Sequence, residues 1–275
     1  MTLSSPPCNN ISKRASLSVV IITKNEEDRI ENLLRSVSFA DEIVVADSGS
    51  SDRTLEICRS YGAKILHQKW LGYAGQKQFA MKNASCDWIL SLDADEIIPD
   101  ETRLEILSAL TIEADTAVGF SFPRLSWYLG KWIYHGGWFP DRKVRLVRRG
   151  AGRWVGVALH EKLEVYGTVK LLKNPIRHYV YRDISDQIRT VNTFSSTFAT
   201  QKKSRFPQFY LALGFFHAIA KFFECAIWKL GVLDGLQGLV IAMNSAFYVF
   251  LKHAKVWESS LSSHSEHPDS HENQL

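Results

Sequence analysis

Cysteine is scarce in this sequence of 275 residues, which contains four of them. They stand far apart, and no CxxC pair occurs. Such spacing is typical of free thiols in a reducing compartment rather than of a disulfide framework. We therefore expect Cys8, Cys58, Cys86 and Cys225 to be unpaired thiols.

The N-terminal segment lacks an apolar stretch. Residues 1–16 read MTLSSPPCNNISKRAS, which is rich in Ser, Pro and Asn. A secretory signal needs an apolar core, and none is visible here. We expect a flexible leader over 1–16 and a protein on the cytoplasmic side. No internal repeat is visible in the rest of the sequence.

A strong excess of either charge is also absent, since the formal net charge is +4 at pH 7. This modest excess suits contact with phosphates or an anionic surface, but a dedicated nucleic-acid binder carries a much larger one. We expect no nucleic-acid partner. With 45% hydrophobic residues, the chain can bury one sizeable core, or a core plus an appendage.

Short apolar runs predict buried strands in the first part of the chain. They are LSVVII (Leu17–Ile22), EIVVA (Glu42–Ala46), AKILH (Ala63–His67) and WILSL (Trp88–Leu92). Helical patterns lie between them, for example the apolar positions at helical spacing in 30–37. This alternation favours an α/β fold with a parallel sheet and helices on both faces.

Polar loops follow three of these strands, with the sequences TKNEE, DSGSSD and DADE. Parallel sheets place ligands beyond the carboxyl ends of their strands, so we expect the loops to meet in one crevice. Asp93 and Asp95 supply the hard oxygen ligands that Mg²⁺ and Mn²⁺ prefer. The alternative is a solvated acidic turn that caps a helix beginning at Glu101.

Aromatic and basic residues concentrate in the second half. The stretch 126–139 reads SWYLGKWIYHGGWF. It is suited either to packing against the apolar faces of sugar rings or to a core or interface patch. The stretch 141–153 reads DRKVRLVRRGAGR. Its basic side chains are suited to phosphate contact, and its alternation equally fits a solvated strand with one basic face.

Two apolar segments with narrow polar stripes follow, Leu211–Leu230 and Leu233–Lys252. Charges interrupt the first too often for a comfortable membrane span, and the second is borderline. We expect 205–257 to form amphipathic helices that lie in the membrane interface. Internal packing, dimerisation and a true span are the alternatives. Residues 258–275 are rich in Ser, His and Glu, and we expect them to be disordered.

Three ordered motifs carry a family resemblance: SVVIITKNEE, VVADSGSSDRT and WILSLDADE. Over about residues 17–110 they resemble the nucleotide-sugar half of the family-2 inverting glycosyltransferases. The likeness extends through GGWFPDRKVRLVRR and the HE of ALHEKL. This longer pattern is similar to the lipopolysaccharide-core glucosyltransferases, which act on lipid-anchored acceptors at the inner membrane face.

The resemblance implies a GT-A (Rossmann-like) fold, with a mixed, mainly parallel sheet, followed by the C-terminal amphipathic helices. The implied catalytic domain covers 17–204. Its nucleotide-sugar half is 17–110, and its acceptor half is 111–204.

The resemblance also implies roles for residues on the donor side. Thr23, Asn25 and Glu26 line the nucleotide-base pocket. Asp47 accepts a hydrogen bond from the uracil ring, whose N3–H is a donor.

The resemblance implies further roles on the donor side for Lys77, in a predicted helix, and for Asp93 and Asp95, after a predicted strand. Lys77 lies near a basic position of the family, and Gln78 departs from the pattern, because many members have Asn there. Asp93 contacts the ribose side or the metal, and Asp95 holds the metal.

Inverting transfer needs a carboxylate base within hydrogen-bond reach of the acceptor hydroxyl. Glu161, in the HE pair, stands where related enzymes place their base. Asp141 is the rival. His160 completes the metal shell, orients the base, or is structural.

These expectations combine into one function. We expect the chain to transfer a hexose, with glucose favoured, from a UDP-sugar to a lipopolysaccharide-core or other lipid-linked acceptor, with Mg²⁺ or Mn²⁺ as cofactor. We expect it to be a peripheral protein on the inner face of the cell membrane, and an oligomer is compatible with this. The rivals are a polyprenyl-phosphate acceptor and a catalytically silent sugar-nucleotide or membrane-binding module.

Overall fold

The computed structural model describes residues 14–111, 116–156, 161–202 and 206–262. The strands are β1 (Leu17–Thr23), β2 (Glu42–Asp47), β3 (Lys64–His67), β4 (Trp88–Asp93), β5 (Glu96–Ile97), β6 (Ala117–Tyr128), β7 (Lys131–Ile133), β8 (Asp141–Arg148), β9 (Gly152–Val155), β10 (Lys162–Val165), β11 (Thr168–Leu171) and β12 (Ile176–His178). The helices are α1 (Ile30–Ser36), α2 (Thr54–Ser60), α3 (Tyr73–Lys82), α4 (Asp100–Ala109), α5 (Ile184–Gln201), α6 (Pro207–Phe223) and α7 (Leu236–Ser262). A π-helical turn (Glu224–Trp228) and a 3₁₀ turn (Gly231–Asp234) connect α6 to α7.

The main sheet is mixed, as predicted, with the strand order β3-β2-β1-β4-β8-β6-β12-β5. The first four of these strands are parallel, and β8 joins β4 antiparallel. Strand β11 pairs parallel with β6, and β7 pairs antiparallel with it. Strands β9 and β10 form a separate antiparallel pair.

Helices cover both faces of β1, because its apolar side chains alternate between two clusters. Val19 packs in one cluster with Leu33 of α1. Val20 packs in the other with Ala80 of α3. An apolar run such as LSVVII is therefore buried on both sides, which is what the continuous hydrophobic pattern predicted.

The register of the strands brings the three polar loops to one edge. Thr23 pairs with Asp47 across β1 and β2, and Ile22 pairs with Asp93 across β1 and β4. All three strands therefore end at the same level, and the loops that follow them begin side by side. The predicted crevice is confirmed as a shared strand-end edge.

The chain divides into two compact units that differ from the predicted domains. The N-terminal unit contains Met1–Pro123 and Arg142–Ile176. The C-terminal unit contains Arg124–Asp141 and Arg177–Leu275. The predicted boundary between 204 and 205 falls inside the second unit, because α5 packs on α7.

The ends of the chain also differ from expectation. Within the predicted leader, Arg14 forms an ion pair with Asp41 at 2.7 Å, so the ordered N-terminal unit begins before Leu17. The predicted disordered tail is wrong for 258–262, since α7 continues through Ser262. Residues 1–13 and 263–275 lie outside the described residues.

The C-terminal unit contains the predicted pair of apolar helices, α6 and α7, and one helix that the sequence analysis missed, α5. Asp183 caps α5 by accepting from the backbone N–H of Asp186 at 2.7 Å. Among the described residues, one helical segment, Pro207–Trp228, is long and apolar enough to cross a membrane by length and composition. The prediction that the second segment is nearer to a membrane span than the first is therefore wrong by length and composition.

A buried histidine marks the contact between α6 and α7. His253 is 7% exposed, and its ring stacks on Tyr210 at 4.4 Å between centroids. It also meets the ring of His217 at 5.4 Å. A Cβ on Gly214 would lie 2.3 Å from the His253 Cβ, so only glycine permits this approach. Burial, followed by the nearby His217 and Lys252, lowers the pKa of His253.

Acidification is expected to destabilise the C-terminal unit through His253. Because its folded pKa is lowered, the unfolded chain binds the proton first as pH falls below about 6.5, and stability falls with it. A His253→Asn variant is expected to lose less thermal stability than wild type between pH 7.5 and pH 5.5. Melting temperatures of both proteins at each pH measure this, and equal losses would exclude His253 as the cause.

Candidate active site

The polar loops after β1 and β2 are bonded to each other. Asn25 lies in the left-handed region at φ 56°, and its side-chain oxygen accepts from the N–H of Ser51 at 2.8 Å. Its own N–H donates to Ser50 Oγ at 2.9 Å. The N–H of Glu26 donates to Thr54 Oγ1 at 2.8 Å. Two of the predicted base-pocket residues, Asn25 and Glu26, therefore stand on one interlocked double loop.

Asp47 ends β2 and is 1% exposed. Its Oδ2 accepts from the N–H groups of Gly49 at 2.9 Å and Ser50 at 3.1 Å. The Ser50 hydroxyl donates to Oδ1 at 2.5 Å, and His67 Nδ1 lies 3.7 Å from Oδ2. The carboxylate therefore holds the turn after β2 in shape. Its bond to uracil stays a prediction.

Thr23, the third predicted base-pocket residue, ends β1 beside Asp47. Its carbonyl accepts from the N–H of Ser48 at 3.1 Å. Its hydroxyl Oγ1 is buried and has no hydrogen-bond partner within the described part of the chain. Since an unsatisfied buried hydroxyl is costly, this group is well placed to bond a ligand at the strand-end edge.

Two buried cations hold the carboxylate of Asp93, at the end of β4. Lys77 Nζ lies 2.8 Å from Oδ1, and Arg145 Nη2 lies 2.6 Å from Oδ2. The side chain of each cation is 4% exposed. Because Lys77 comes from α3 and Arg145 from β8, the two ion pairs join three elements of the N-terminal unit.

Arg145 also bonds Glu96, an acidic residue of DADE to which the sequence assigned no role of its own. Arg145 Nη2 lies 2.6 Å from Glu96 Oε1, and Glu96 is fully buried. Glu96 Oε2 accepts from the N–H of Asp93 at 3.1 Å. Burial lowers the pKa of Arg145, but the charges of Asp93 and Glu96 outweigh it, and the net effect raises that pKa. The guanidinium therefore stays charged.

The favoured base, Glu161, belongs to the same group of charges. Its Oε1 lies 3.2 Å from Lys77 Nζ, so Lys77 bridges Glu161 and Asp93. The rival base, Asp141, lies in the C-terminal unit, where Arg124 Nη2 contacts its Oδ2 at 2.5 Å. His160 lies outside the described residues, so its predicted roles remain predictions.

Residues 18–161 match the family described as Glycosyl transferase family 2. This chain belongs to glycosyl transferase family 2. The match covers β1 from Ser18 onward and the interlocked loops. It also covers Asp93, Asp95, Glu96 and Glu161, which we call the acid cluster, and it ends at Glu161.

Known proteins that resemble this glycosyltransferase extend the likeness beyond residue 161. A lipopolysaccharide core biosynthesis glycosyltransferase of Rhizobium meliloti is 31% identical over 88% of this chain and 92% of its own length. An uncharacterized glycosyltransferase of Rickettsia typhi is 30% identical over 90% and 88%. A mannosyltransferase of Pyrobaculum calidifontis, solved with GDP-Man and Mn²⁺, shares the fold at 15% identity, with a TM-score of 0.52 over 89% and 88%.

The ring of Trp154 lies over the two cations that bond Asp93. Its ring centroid lies 4.7 Å from Lys77 Nζ and 5.8 Å from the Arg145 guanidinium carbon. The backbone N–H of Trp154 donates to Gln78 Oε1 at 2.8 Å. Gln78, which departs from the family pattern, therefore anchors the strand that carries Trp154. No local motif in the sequence signalled this contact, since the two residues stand far apart along the chain.

Tyr73, at the start of α3, is close enough to Glu161 and Asp93 to feel their charges, and no motif in the sequence pointed to it. Burial, and then the negative charges of Glu161 and Asp93, raise the pKa of Tyr73. The phenol therefore stays protonated and can donate a hydrogen bond. The remaining predicted carboxylate, Asp95, lies 3.8 Å from Arg29 Nη1, and its side chain is 24% exposed.

The carboxylates fit a divalent cation that is shared with a ligand rather than a closed protein cage. Within the described residues, no group of three or more His, Cys, Asp or Glu side chains could hold a metal ion. Mg²⁺ is usually held by one or two carboxylates together with substrate phosphates and water. Asp95 is partly exposed and suits this role, whereas Asp93 already bonds Lys77 and Arg145.

Proposed function

We propose that this glycosyltransferase moves a hexose, with glucose favoured, from a UDP-sugar to a lipopolysaccharide-core or other lipid-linked acceptor, with inversion. Its place is the inner face of the cell membrane. The observation that carries the proposal is the bridge from Asp93 through Lys77 to Glu161. It connects the strand-end edge, where a donor nucleotide binds in parallel sheets, to the carboxylate proposed as base.

On the donor side, the proposed ligands are the residues at the ends of β1, β2 and β4. The buried Thr23 hydroxyl and the loop of Asn25 and Glu26 would contact the base. Asp95 would hold Mg²⁺ or Mn²⁺, with Asp93 beside it. When bound, such an ion supplies Lewis-acid stabilisation of charge on the diphosphate.

On the acceptor side, Glu161 is the proposed base. Lys77 orients the Glu161 carboxylate by donating a hydrogen bond to Oε1. The second oxygen, Oε2, takes no part in that hydrogen bond. A hydroxyl that attacks the sugar must lose its proton, and a carboxylate within hydrogen-bond reach can take it. The family relative from Rhizobium meliloti, named for lipopolysaccharide core biosynthesis, supports the choice of a lipid-linked glycan as acceptor.

Asp95→Asn is expected to abolish the advantage that Mn²⁺ gives to UDP binding. The amide removes the charge that would attract the cation, while the shape of the loop is kept. Calorimetry of UDP binding with and without Mn²⁺ measures this. Asp100→Asn, an exposed acidic residue at the start of α4, is the matched control and should behave as wild type. Equal manganese dependence in Asp95→Asn would remove Asp95 from the metal site.

The function itself is tested by incubating the chain with a panel of UDP-sugars, Mn²⁺ and membrane lipid extract. Transfer to a lipopolysaccharide-core species, identified by product mass, is the expected result. A product built on polyprenyl phosphate would replace the acceptor class and keep the enzyme. Absence of turnover with every donor and acceptor would contradict the proposal.

A further inference from the structure

The C-terminal unit exposes a large apolar surface along α6, the turns after it and the start of α7. Of the most apolar 18-residue stretch within Pro207–Trp228, only 17% is buried. Several large side chains are more exposed than buried: Phe209 70%, Phe216 67%, Trp228 80%, Leu233 60% and Leu236 78%. Soluble monomers rarely expose contiguous apolar patches of this kind, so a partner is indicated.

A groove between α6 and α7 continues this surface. Its lining is entirely apolar and includes Phe215, Ile219, Phe222, Phe223, Met243 and Phe247. No polar atom of the described residues contributes to the lining. Flexible methionine and phenylalanine side chains in such a groove accommodate hydrocarbon of varied shape.

The polar side of the helix pair is tied to α5. Asn244 donates to Gln187 Oε1 at 2.6 Å, and Lys255 Nζ lies 2.6 Å from Asn192 Oδ1. Lys255 also donates to Ser196 Oγ at 2.7 Å. Because α7 is bonded to a polar helix along one side, the apolar side is the free one. An assembly of this kind suits a membrane surface better than a span across it.

The ends of α6 carry the residue types found at membrane interfaces. The sequence QKKSRF immediately precedes Pro207 and contains three basic residues, Lys202, Lys203 and Arg205. Trp228 stands at the other end. Basic clusters favour anionic lipid headgroups, and exposed tryptophan favours the headgroup level.

We propose that this face, defined as the exposed apolar side chains of 206–247, docks into one leaflet of an anionic phospholipid bilayer. The helices lie in the plane of the membrane, and the groove between α6 and α7 takes hydrocarbon chains. The positive charge of the sequence QKKSRF, which includes Lys202, attracts the anionic headgroups. This builds on the membrane location proposed above and assigns it to particular side chains.

Vesicle flotation of the full chain tests this, without donor or acceptor, so that its failure leaves the transferase proposal standing. Wild type is expected to bind phosphatidylglycerol-containing vesicles more tightly than pure phosphatidylcholine vesicles. The triple variant Phe209→Ser/Phe216→Ser/Trp228→Ser is expected to lose at least about tenfold in partition coefficient. Its targets are exposed, so the fold should persist, and circular dichroism checks this.

The matched control removes exposed apolar side chains from the N-terminal unit instead. Leu104→Ser/Tyr166→Ser/Leu171→Ser replaces residues that are 59%, 57% and 64% exposed. It should bind vesicles as wild type does. An equal loss in both variants, or no binding by wild type, would overturn the proposal.

Two further measurements separate the membrane from a second copy of the chain. Brominated lipids should quench the fluorescence of wild type more than that of Trp228→Phe. Analytical ultracentrifugation in the absence of vesicles should find the same mass for wild type and the triple variant. A wild-type dimer that the triple variant dissociates, with vesicle binding unchanged, would make this face a dimer interface and overturn the membrane docking.

Discussion

Replacing Glu161 with glutamine is expected to lower the transfer rate by about 100- to 10,000-fold, the usual contribution of a general base. UDP-sugar binding should change little. The glutamine side chain keeps the size of the carboxylate, and its amide oxygen can still accept from Lys77, which lies 3.2 Å from Glu161 Oε1. What disappears is the ability to take a proton from the acceptor hydroxyl.

The control for Glu161 stands on the neighbouring strand. Glu164 lies on β10, where its partners are the exposed Lys162 and Arg153. Glu164→Gln removes one negative charge from the same region without touching Lys77, and it should keep near wild-type turnover. Rates of transfer and calorimetry of UDP-sugar binding, measured on both variants, separate chemistry from binding.

Comparing Asp141→Asn with Glu161→Gln distinguishes the two candidate bases. Its carboxylate is held by Arg124, so Asp141→Asn would remove an ion pair of the C-terminal unit. A modest loss of activity in Asp141→Asn, together with a large loss in Glu161→Gln, supports Glu161. Full activity of Glu161→Gln with a large loss in Asp141→Asn would transfer the role of base to Asp141.

The strands of the donor side could be read from the sequence because their signal is local. Each of the first four observed strands differs from its prediction by one residue at an end. Strands buried on both faces are continuous apolar runs, and polar residues must begin where the burial stops. The same reasoning placed TKNEE, DSGSSD and DADE at one edge before any register was known.

The charges inside the site could not be read in this way, because their partners are distant in sequence. Arg145 lies in an alternating basic stretch, and of the two alternatives for that stretch a solvated basic face does not hold for Arg145, which is 3% exposed. Its partner Glu96 stands in DADE, where it looks like one more acidic loop residue. Only the antiparallel addition of β8 beside β4 brings the two together.

Helix α5 was missed for a different reason. Its sequence, ISDQIRTVNTFSSTFATQ, has many β-branched and hydroxyl residues, which have weak helix propensity. The helix is stabilised instead by the cap at Asp183 and by its bonds to α7, such as Lys255 to Asn192. Tertiary contacts with α7 overrode the local preference of this sequence.

Arg145→Met is expected to destabilise the N-terminal unit by about 3–5 kcal/mol, because it leaves the buried Glu96 carboxylate without its cation. Lys77 would still partner Asp93, so the loss should centre on Glu96. The double variant Glu96→Gln/Arg145→Met removes both buried charges and should recover part of that loss. Arg148→Met, on the exposed end of the same strand, is the matched control and should fall within about 0.5 kcal/mol of wild type. Urea unfolding of the four proteins measures these free energies. If Arg145→Met were no less stable than Arg148→Met, the buried ion pairs of Arg145 with Asp93 and Glu96 would not stabilise the N-terminal unit. The position of Asp93 would then need another cause.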